Sequence, residues 1–213
     1  MEVTYENIYK GYTINTNKEK GYGCFIHILN NYHTCLENMK QSHSKVIQIR
    51  FDLTYPRDGG IIPQYEHIQI FNFYFKRSLL RKVIPSGHSL DPRLVWTREL
   101  HTSQVPHFHH LVLLNGNAVQ HWYEIVKMAE WQWGLVLGID PTGLVHYCDK
   151  TPDGKKQENG IMYRSDRSEA ERLRQENLMY YQASYLAKIR GKEGNQKGAW
   201  RSGSTRIPHK KAC

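Results

Sequence analysis

Glu99-Leu100-His101-Thr102-Ser103-Gln104-Val105-Pro106-His107-Phe108-His109-His110-Leu111-Val112-Leu113-Leu114 is the stretch whose reading decides the fold. His107 and His109 are separated by one apolar residue. On a β-strand, residues i and i+2 project to the same face, so the two imidazoles stand side by side and Phe108 anchors the opposite face. His110 turns away with Phe108 on a regular strand and is excluded as a ligand partner. Leu111-Val112-Leu113-Leu114 is apolar on both faces, the pattern of a central strand covered by helices. Upstream, Leu94 to Leu100 reads as a second strand, and the polar link ending in Pro106 reads as a hairpin connection. That hairpin returns Glu99 towards His107. Two imidazoles and a carboxylate make a mixed nitrogen and oxygen donor set for a divalent ion. With no thiolate close in sequence, the set favours Mg²⁺ or Mn²⁺ where the substrate carries a phosphate.

Outward from the hairpin, the chain alternates helix and strand. From about Gly23 to Ser42, Phe25, Ile28, Leu29, Tyr32, Leu36 and Met39 recur at three- and four-residue steps, which predicts an amphipathic helix. Lys45 to Leu53 alternates: Ile47, Ile49, Phe51 and Leu53 share one face, and Gln48, Arg50 and Asp52 share the other. A helix is expected over 64–82, stopped by Pro85-Ser86-Gly87, and another over 118–137, with Trp122, Trp131 and Trp133 read as core. A short strand is expected over 143–148 and a polar loop over 149–165. Ser165 or Asp166 is placed to cap a last helix running to about Ile189. Residues 1–22, with Tyr5, Tyr9, Tyr12 and Tyr22, read as an irregular arm with a short strand, whose tyrosines can stack on bases or, as is commoner, cover a core edge.

The totals exclude several classes. A length of 213 residues with 39% hydrophobic and 12% aromatic content supports a real core, so this is not a disordered chain. No apolar run reaches the length of a membrane span, and Met1-Glu2-Val3-Thr4-Tyr5 lacks a basic-then-apolar leader pattern. Cys24, Cys35, Cys148 and Cys213 form no CxxC pair or disulfide framework, which favours a reducing, cytoplasmic setting. The formal net charge of +9 favours a polyanionic partner. Much of that charge lies in Arg190, Lys192, Lys197, Arg201, Arg206, Lys210 and Lys211, opposed by Glu193 alone. With its Gly and Ser content this segment reads as a flexible tail able to clamp nucleic acid.

The last helix carries the remaining chemistry. Tyr181 and Tyr185 fall one turn apart on one face, with Lys188 three residues beyond Tyr185. A phenol titrates near ~10 and is a poor nucleophile at neutral pH. A nearby ammonium favours the phenolate, and a metal ion polarises the phosphoryl oxygens it attacks. Tyrosine attack on a DNA phosphodiester leaves a 5′-phosphotyrosine link and a free 3′-OH, so the strand can be rejoined without ATP.

This ordered set resembles the HUH endonucleases of the rolling-circle replication initiator (Rep) type, and more narrowly the replication proteins of inoviruses and phage satellites. The resemblance covers roughly residues 45–190. Phe51-Asp52-Leu53-Thr54-Tyr55-Pro56 is similar to the family's first motif, His107-Phe108-His109 to its metal-binding motif, and Tyr185-Leu186-Ala187-Lys188 to its nucleophile motif Tyr-x-x-Lys. Glu99 resembles the third ligand, contributed by the preceding strand. The resemblance implies an α+β fold with a central antiparallel sheet in a ferredoxin-like arrangement. It also implies nicking and joining of single-stranded DNA, at a hairpin or origin sequence, with Mg²⁺ or Mn²⁺. Tyr185 is then the nucleophile with Lys188 beside it, Tyr181 is a candidate second nucleophile, and His107, His109 and Glu99 hold the metal.

The domain organisation expected is an N-terminal arm and helix packed on the core (1–44), the nuclease core (45–190) and the basic flexible tail (191–213). The sequence contains no Gly-x-x-x-x-Gly-Lys-Ser/Thr loop, so unwinding would fall to a helicase of the bacterial host. The competing readings are a transposase or relaxase of the same chemistry, a non-catalytic DNA-binding protein, and a metal-dependent hydrolase that uses no tyrosine.

Overall fold

A computed structural model describes residues 1–57, 59–100, 105–150, 154–192 and 201–207. The alternating stretch 45–53 forms strand β5 (Lys45–Leu53), and the hairpin forms β6 (Arg93–Leu100) and β7 (Pro106–Asn115). These three are the middle of a six-stranded sheet. Two edge strands, β8 (Val145–Tyr147) and β9 (Ile161–Arg164), share the far side of β5 end to end, and β10 (Ser202–Ser204) pairs with the free side of β6. The strand order is β10-β6-β7-β5-β8, and every pairing is antiparallel. The run apolar on both faces, Leu111 to Leu114, therefore lies in the central strand, where helices cover both faces.

The period-two alternation of β5 decides what each face receives. Ile47, Ile49, Phe51 and Leu53 point one way, together with Phe108, Val112 and Leu114 of β7. Helix α2 (Tyr65–Arg81) and helix α3 (Tyr123–Leu137) close over them with Ile68, Phe71, Phe75, Leu79, Ile125, Ala129 and Trp133. Ile68, Phe71, Phe75 and Leu79 follow three- and four-residue steps, which is why α2 presents one apolar stripe. Trp133 is fully buried and donates its indole N–H to the Thr54 carbonyl at 2.8 Å.

The opposite face is covered by α1 (Ile26–Ser42) and α4 (Glu169–Ala187). Its apolar half joins Val46, Val95, Leu111 and Leu113 to Ile28, Leu29, Tyr32, Leu36 and Met39 of α1 and Met179, Tyr180, Ala183 and Leu186 of α4. Gln48 lies within this face, fully buried, and is satisfied by three contacts. It accepts from the Tyr32 hydroxyl and donates to the Met179 carbonyl and to Gln182 Oε1. The remaining polar positions of the face, at the ends of β5, β6 and β7, form the site described below.

Short strands organise the N-terminal arm: β1 (Val3–Thr4) pairs with β4 (Cys24–Phe25), and β2 (Ile8–Tyr9) with β3 (Tyr12–Thr13). Tyr12 stacks on Tyr180 of α4 with ring centres 4.1 Å apart, so this tyrosine does cover a core edge. Among the described residues no helix is long and apolar enough to cross a membrane.

Five sequence expectations need correction. The segment 149–165 is not loop throughout, because Ile161-Met162-Tyr163-Arg164 adds β9 to the sheet. The α4 cap is Ser168, whose hydroxyl accepts from the Glu171 amide three residues on, rather than Ser165 or Asp166. Helix α3 begins at Tyr123, not at 118. Trp131 is exposed while Trp133 fills the core, since adjacent odd positions on a helix lie on different sides. The tail expected over 191–213 contributes β10, an edge strand that hydrophobic patterning does not announce. Its Gly203 lies against the Trp96 indole, where a Cβ would approach Nε1 to 2.6 Å. Lys197, Lys210 and Lys211, expected to clamp nucleic acid, lie outside the described residues, as does the middle of the 6–7 hairpin connection.

Candidate active site

Antiparallel pairing places Thr97, His109, Asp52 and His146 opposite one another in a single row across β6, β7, β5 and β8. Residues opposite one another share a face. One step along, Glu99 stands opposite His107, and on the other side Arg50 follows Asp52 two residues along β5. The polar face of β5 and the His-x-His pair thus converge because of register alone.

His109 is buried between two carboxylates. Its Nε2 lies 2.6 Å from Glu99 Oε2 in a hydrogen bond. Its Nδ1 lies 2.8 Å from Asp52 Oδ1, near enough for an ion pair but off the hydrogen-bond direction. Burial alone would lower the imidazole pKa, but the Asp52 charge and the contacts to Asp52 and Glu99 outweigh it and raise the value. Burial likewise acts to raise the Asp52 carboxyl, and the charges of His109 and Arg50 hold it well below the usual carboxylate range. A neutral imidazole carries only one N–H and cannot serve both carboxylates. A second proton, or a cation between Nε2 and Glu99, is needed to complete the arrangement. The raised imidazole pKa favours the second proton; a divalent ion at Nε2 would take that proton's place and separate the ring from Glu99.

The last turn of α4 brings Tyr185 over this row. The Arg50 guanidinium lies 3.8 Å from the centre of the tyrosine ring, the Lys188 ammonium 4.7 Å, and His109 meets the ring edge-on at 5.3 Å. Burial raises the Tyr185 pKa, while the charge of Arg50 and its hydrogen bond to the phenol act in the opposite direction. The net effect is a phenol kept protonated but facing a guanidinium that stabilises its anion. Lys188 caps α4, its amide bonded back to the Tyr185 carbonyl, and its pKa is lowered first by burial.

Beyond Lys188 the backbone folds back over Glu99. The Ile189 amide donates to the Gly23 carbonyl, and the Leu100 amide donates to the Gly191 carbonyl at 2.7 Å. Gly191 adopts φ +74°, and a Cβ there would lie 2.6 Å from Glu99 Oε1. Only glycine meets both the left-handed conformation and the close approach. The next residue, Lys192, is 3% exposed and its ammonium has no hydrogen-bond partner. Burial drives its pKa down to about 8, against the opposing charge of Glu99.

Among the described residues, seven buried side-chain polar atoms lack a hydrogen-bond partner, and five of them belong here: Thr97 Oγ1, Asp52 Oδ1, His109 Nδ1, Arg50 Nε and Lys192 Nζ. Asp52 Oδ1 and His109 Nδ1 face each other at 2.8 Å, whereas Thr97 Oγ1, Arg50 Nε and Lys192 Nζ leave room for water or a ligand to pair them. A cavity of about 420 Å³, lined by Tyr22, Glu99, Tyr185, Lys188 and Arg190 among others, opens on one side of the tyrosine ring. A second, of about 260 Å³, is lined by Arg50, Tyr181, Gln182 and Tyr185 among others.

Of the residues singled out by spacing, Glu99, His109, Tyr185 and Lys188 come together, and His107 shares their face opposite Glu99. Tyr181 does not join them; it is exposed one turn earlier on α4 and lines only the second cavity. His110 faces the other way, stacked on Phe51 with ring centres 5.2 Å apart and bonded to Asn72. Arg50, Asp52, Gly191 and Lys192 are members that motif spacing does not assign. The available signal for the first two was their place on the polar side of a half-buried strand.

The family model for the YagK/YfjJ C-terminal domain matches residues 6–199, so the chain belongs to that family, and the match spans every residue of the site. No curated protein and no solved structure matches the chain significantly.

Proposed function

We propose that this chain is a metal-dependent DNA nicking and joining endonuclease of the HUH type, with Tyr185 as nucleophile and single-stranded or hairpin DNA as substrate. The observation that carries the reading is the convergence on one sheet face of the His107/His109/Glu99 set with a tyrosine bracketed by Arg50 and Lys188. In further support, the β5-α2-β6-β7-α3-β8 succession, with spatial order β6-β7-β5-β8, follows the β-α-β-β-α-β ferredoxin-like pattern. On this reading the tyrosine helix packs on the sheet face opposite α2 and α3.

His107, His109 and Glu99 would hold Mg²⁺ or Mn²⁺, which when bound supplies Lewis-acid polarisation of the scissile phosphate. Asp52 orients the His109 ring from the Nδ1 side and leaves Nε2 to face the ion, the usual arrangement of a carboxylate behind a metal-binding histidine. Arg50 stabilises the phenolate as Tyr185 Oη attacks phosphorus. Lys188, whose ammonium lies 4.7 Å from the ring centre, adds its charge to stabilise the phenolate; the phenol proton leaves to solvent and the departing 3′-oxygen takes one from solvent. The P–O3′ bond breaks, the Oη–P bond forms, and the 5′-phosphate stays on the protein until a 3′-OH reverses the step. Lys192 and Arg50 offer cations to the non-bridging oxygens. The biological setting that fits is initiation of rolling-circle replication by a phage or mobile element in a bacterial cytoplasm, with a host helicase to unwind.

The test is incubation with a pool of labelled single-stranded oligonucleotides, with Mn²⁺ or with EDTA, resolved on a denaturing gel. The expected result is a metal-dependent band at the mass of protein plus DNA, with Arg50→Met slowing its appearance about 10²-fold. Binding without any adduct, unaffected by EDTA, would favour a non-catalytic DNA-binding protein. Cleavage without an adduct would favour a metal-dependent hydrolase.

A further inference from the structure

The carboxylate that backs His109 has a second neighbour set on its other side. In the β5–β8 register His146 stands opposite Asp52, and the Cys148 amide approaches the Arg50 carbonyl at 3.5 Å. His146 and Cys148 are thus an i, i+2 pair on the face that carries Asp52, with His146 across β5 from His109. One ligand atom from each of Asp52, His146 and Cys148 lies within 4.8 Å of the others. Asp52 Oδ1 faces His109 Nδ1 at 2.8 Å, off the hydrogen-bond direction. Cys148 is 2% exposed, whereas His146 is exposed and gives the entry side.

We propose that Asp52, His146 and Cys148 form a second metal site, selective for a thiophilic divalent ion such as Zn²⁺ and distinct from the Mg²⁺- or Mn²⁺-type set of His107, His109 and Glu99. The donor chemistry makes the distinction. A thiolate, an imidazole and one carboxylate oxygen suit zinc in tetrahedral coordination, with a water in the fourth position, and suit Mg²⁺ poorly. Without metal, the Cys148 thiol is held protonated by burial and by the Asp52 charge it faces. On binding, the sulfur's proton leaves to solvent and the S–metal bond replaces S–H, so uptake releases a proton. Because Asp52 is shared, a zinc ion here draws the carboxylate's charge away from the His109 ring. The binding site itself rests on these three residues and not on the nuclease reading; only the effect on His109 depends on that reading.

The test is titration of the full-length protein with Co²⁺, read by absorbance, because cobalt bound to a thiolate shows a sulfur-to-metal charge-transfer band that oxygen and nitrogen ligands do not give. The expected result is one equivalent of thiolate-bound Co²⁺, displaced by Zn²⁺ and not by Mg²⁺. The band should persist in His107→Ala and be lost in Cys148→Ser. His146 is exposed, so His146→Ala keeps the fold and should weaken cobalt binding by about tenfold or more. No charge-transfer band in the native protein, or a band unchanged in both Cys148→Ser and His146→Ala, overturns the proposal. Either outcome leaves the adduct assay for Tyr185 chemistry unaffected.

Discussion

His109 and His110 are adjacent in the chain and occupy opposite environments. His110 is fully buried between Phe51, Phe71 and Trp96, donates one N–H to Asn72, and has its pKa pushed down to about 3 by burial. His109 sits between Asp52 and Glu99 with its pKa raised. Nothing in their side chains differs; strand parity alone sends one to the dry face under α2 and α3 and the other to the charged face under α4. The dry face is completed mainly by packing, although His110 Nδ1 there also lacks a hydrogen-bond partner. The charged face is left with unpaired buried atoms, and a site of that kind loses stability unless a ligand or ion completes it. The same strand therefore supplies both the scaffold and the chemistry.

The sharpest way to break this comparison is to exchange the roles of the two histidines. His109→Ala should lower adduct formation about 10³-fold while leaving non-specific DNA binding in place, and His110→Phe should stay within a few-fold of the native rate. Single-turnover gels measure both. Equal loss in the two variants would mean that the histidines matter only for folding.

Next in size is the acid response. His110 has a folded pKa below its unfolded one, so the unfolded chain binds the extra proton between about pH 6.5 and 3. The stability from this group is therefore full above about pH 6.5 and is lost as pH falls through that window, by a few kcal/mol in total. Urea unfolding at pH 7 and pH 4 should show a smaller decline in His110→Phe than in the native protein. An equal decline in both would place the acid sensitivity elsewhere.

Gly191→Ala tests the backbone that holds Glu99. The left-handed conformation should cost about 1–2 kcal/mol in thermal or urea unfolding. The methyl group would also displace the Glu99 carboxylate, so Mn²⁺ affinity measured by calorimetry should fall as well. Retained affinity would show that Glu99 is not a ligand. The smallest effect belongs to Tyr181→Phe, which removes an exposed hydroxyl outside the Tyr185 cluster and should change adduct yield by less than about twofold.

The framework of the fold was legible because β5 and the His107 hairpin have clean period-two patterns, and because Phe71, Phe75 and Leu79 have clean helical spacing. The edge strands were not. Four residues after a polar loop, as in β9, or Ser-Gly-Ser, as in β10, become strands only when a partner edge is present. The candidate site divides along the same line. His107, His109, Tyr185 and Lys188 follow from spacing within single elements, and Glu99 from the hairpin that joins its strand to that of the two histidines. Arg50 and Asp52 show as polar residues on a half-buried strand, but their partners come from β7, β8 and α4. Lys192 lies in a segment whose composition suggests a solvated tail, and its burial arises from the turn at Gly191 that carries the chain back over Glu99.

The most direct test of the central claim is mass spectrometry of the peptide–nucleotide adduct trapped after reaction with single-stranded DNA and Mn²⁺. The account predicts a 5′-phosphate attached to Tyr185, with no adduct when Tyr185→Phe is used. An adduct located on Tyr181 would contradict the assignment of the nucleophile. Failure to trap any adduct from DNA that the protein binds and that metal reaches would contradict the phosphotyrosine mechanism itself.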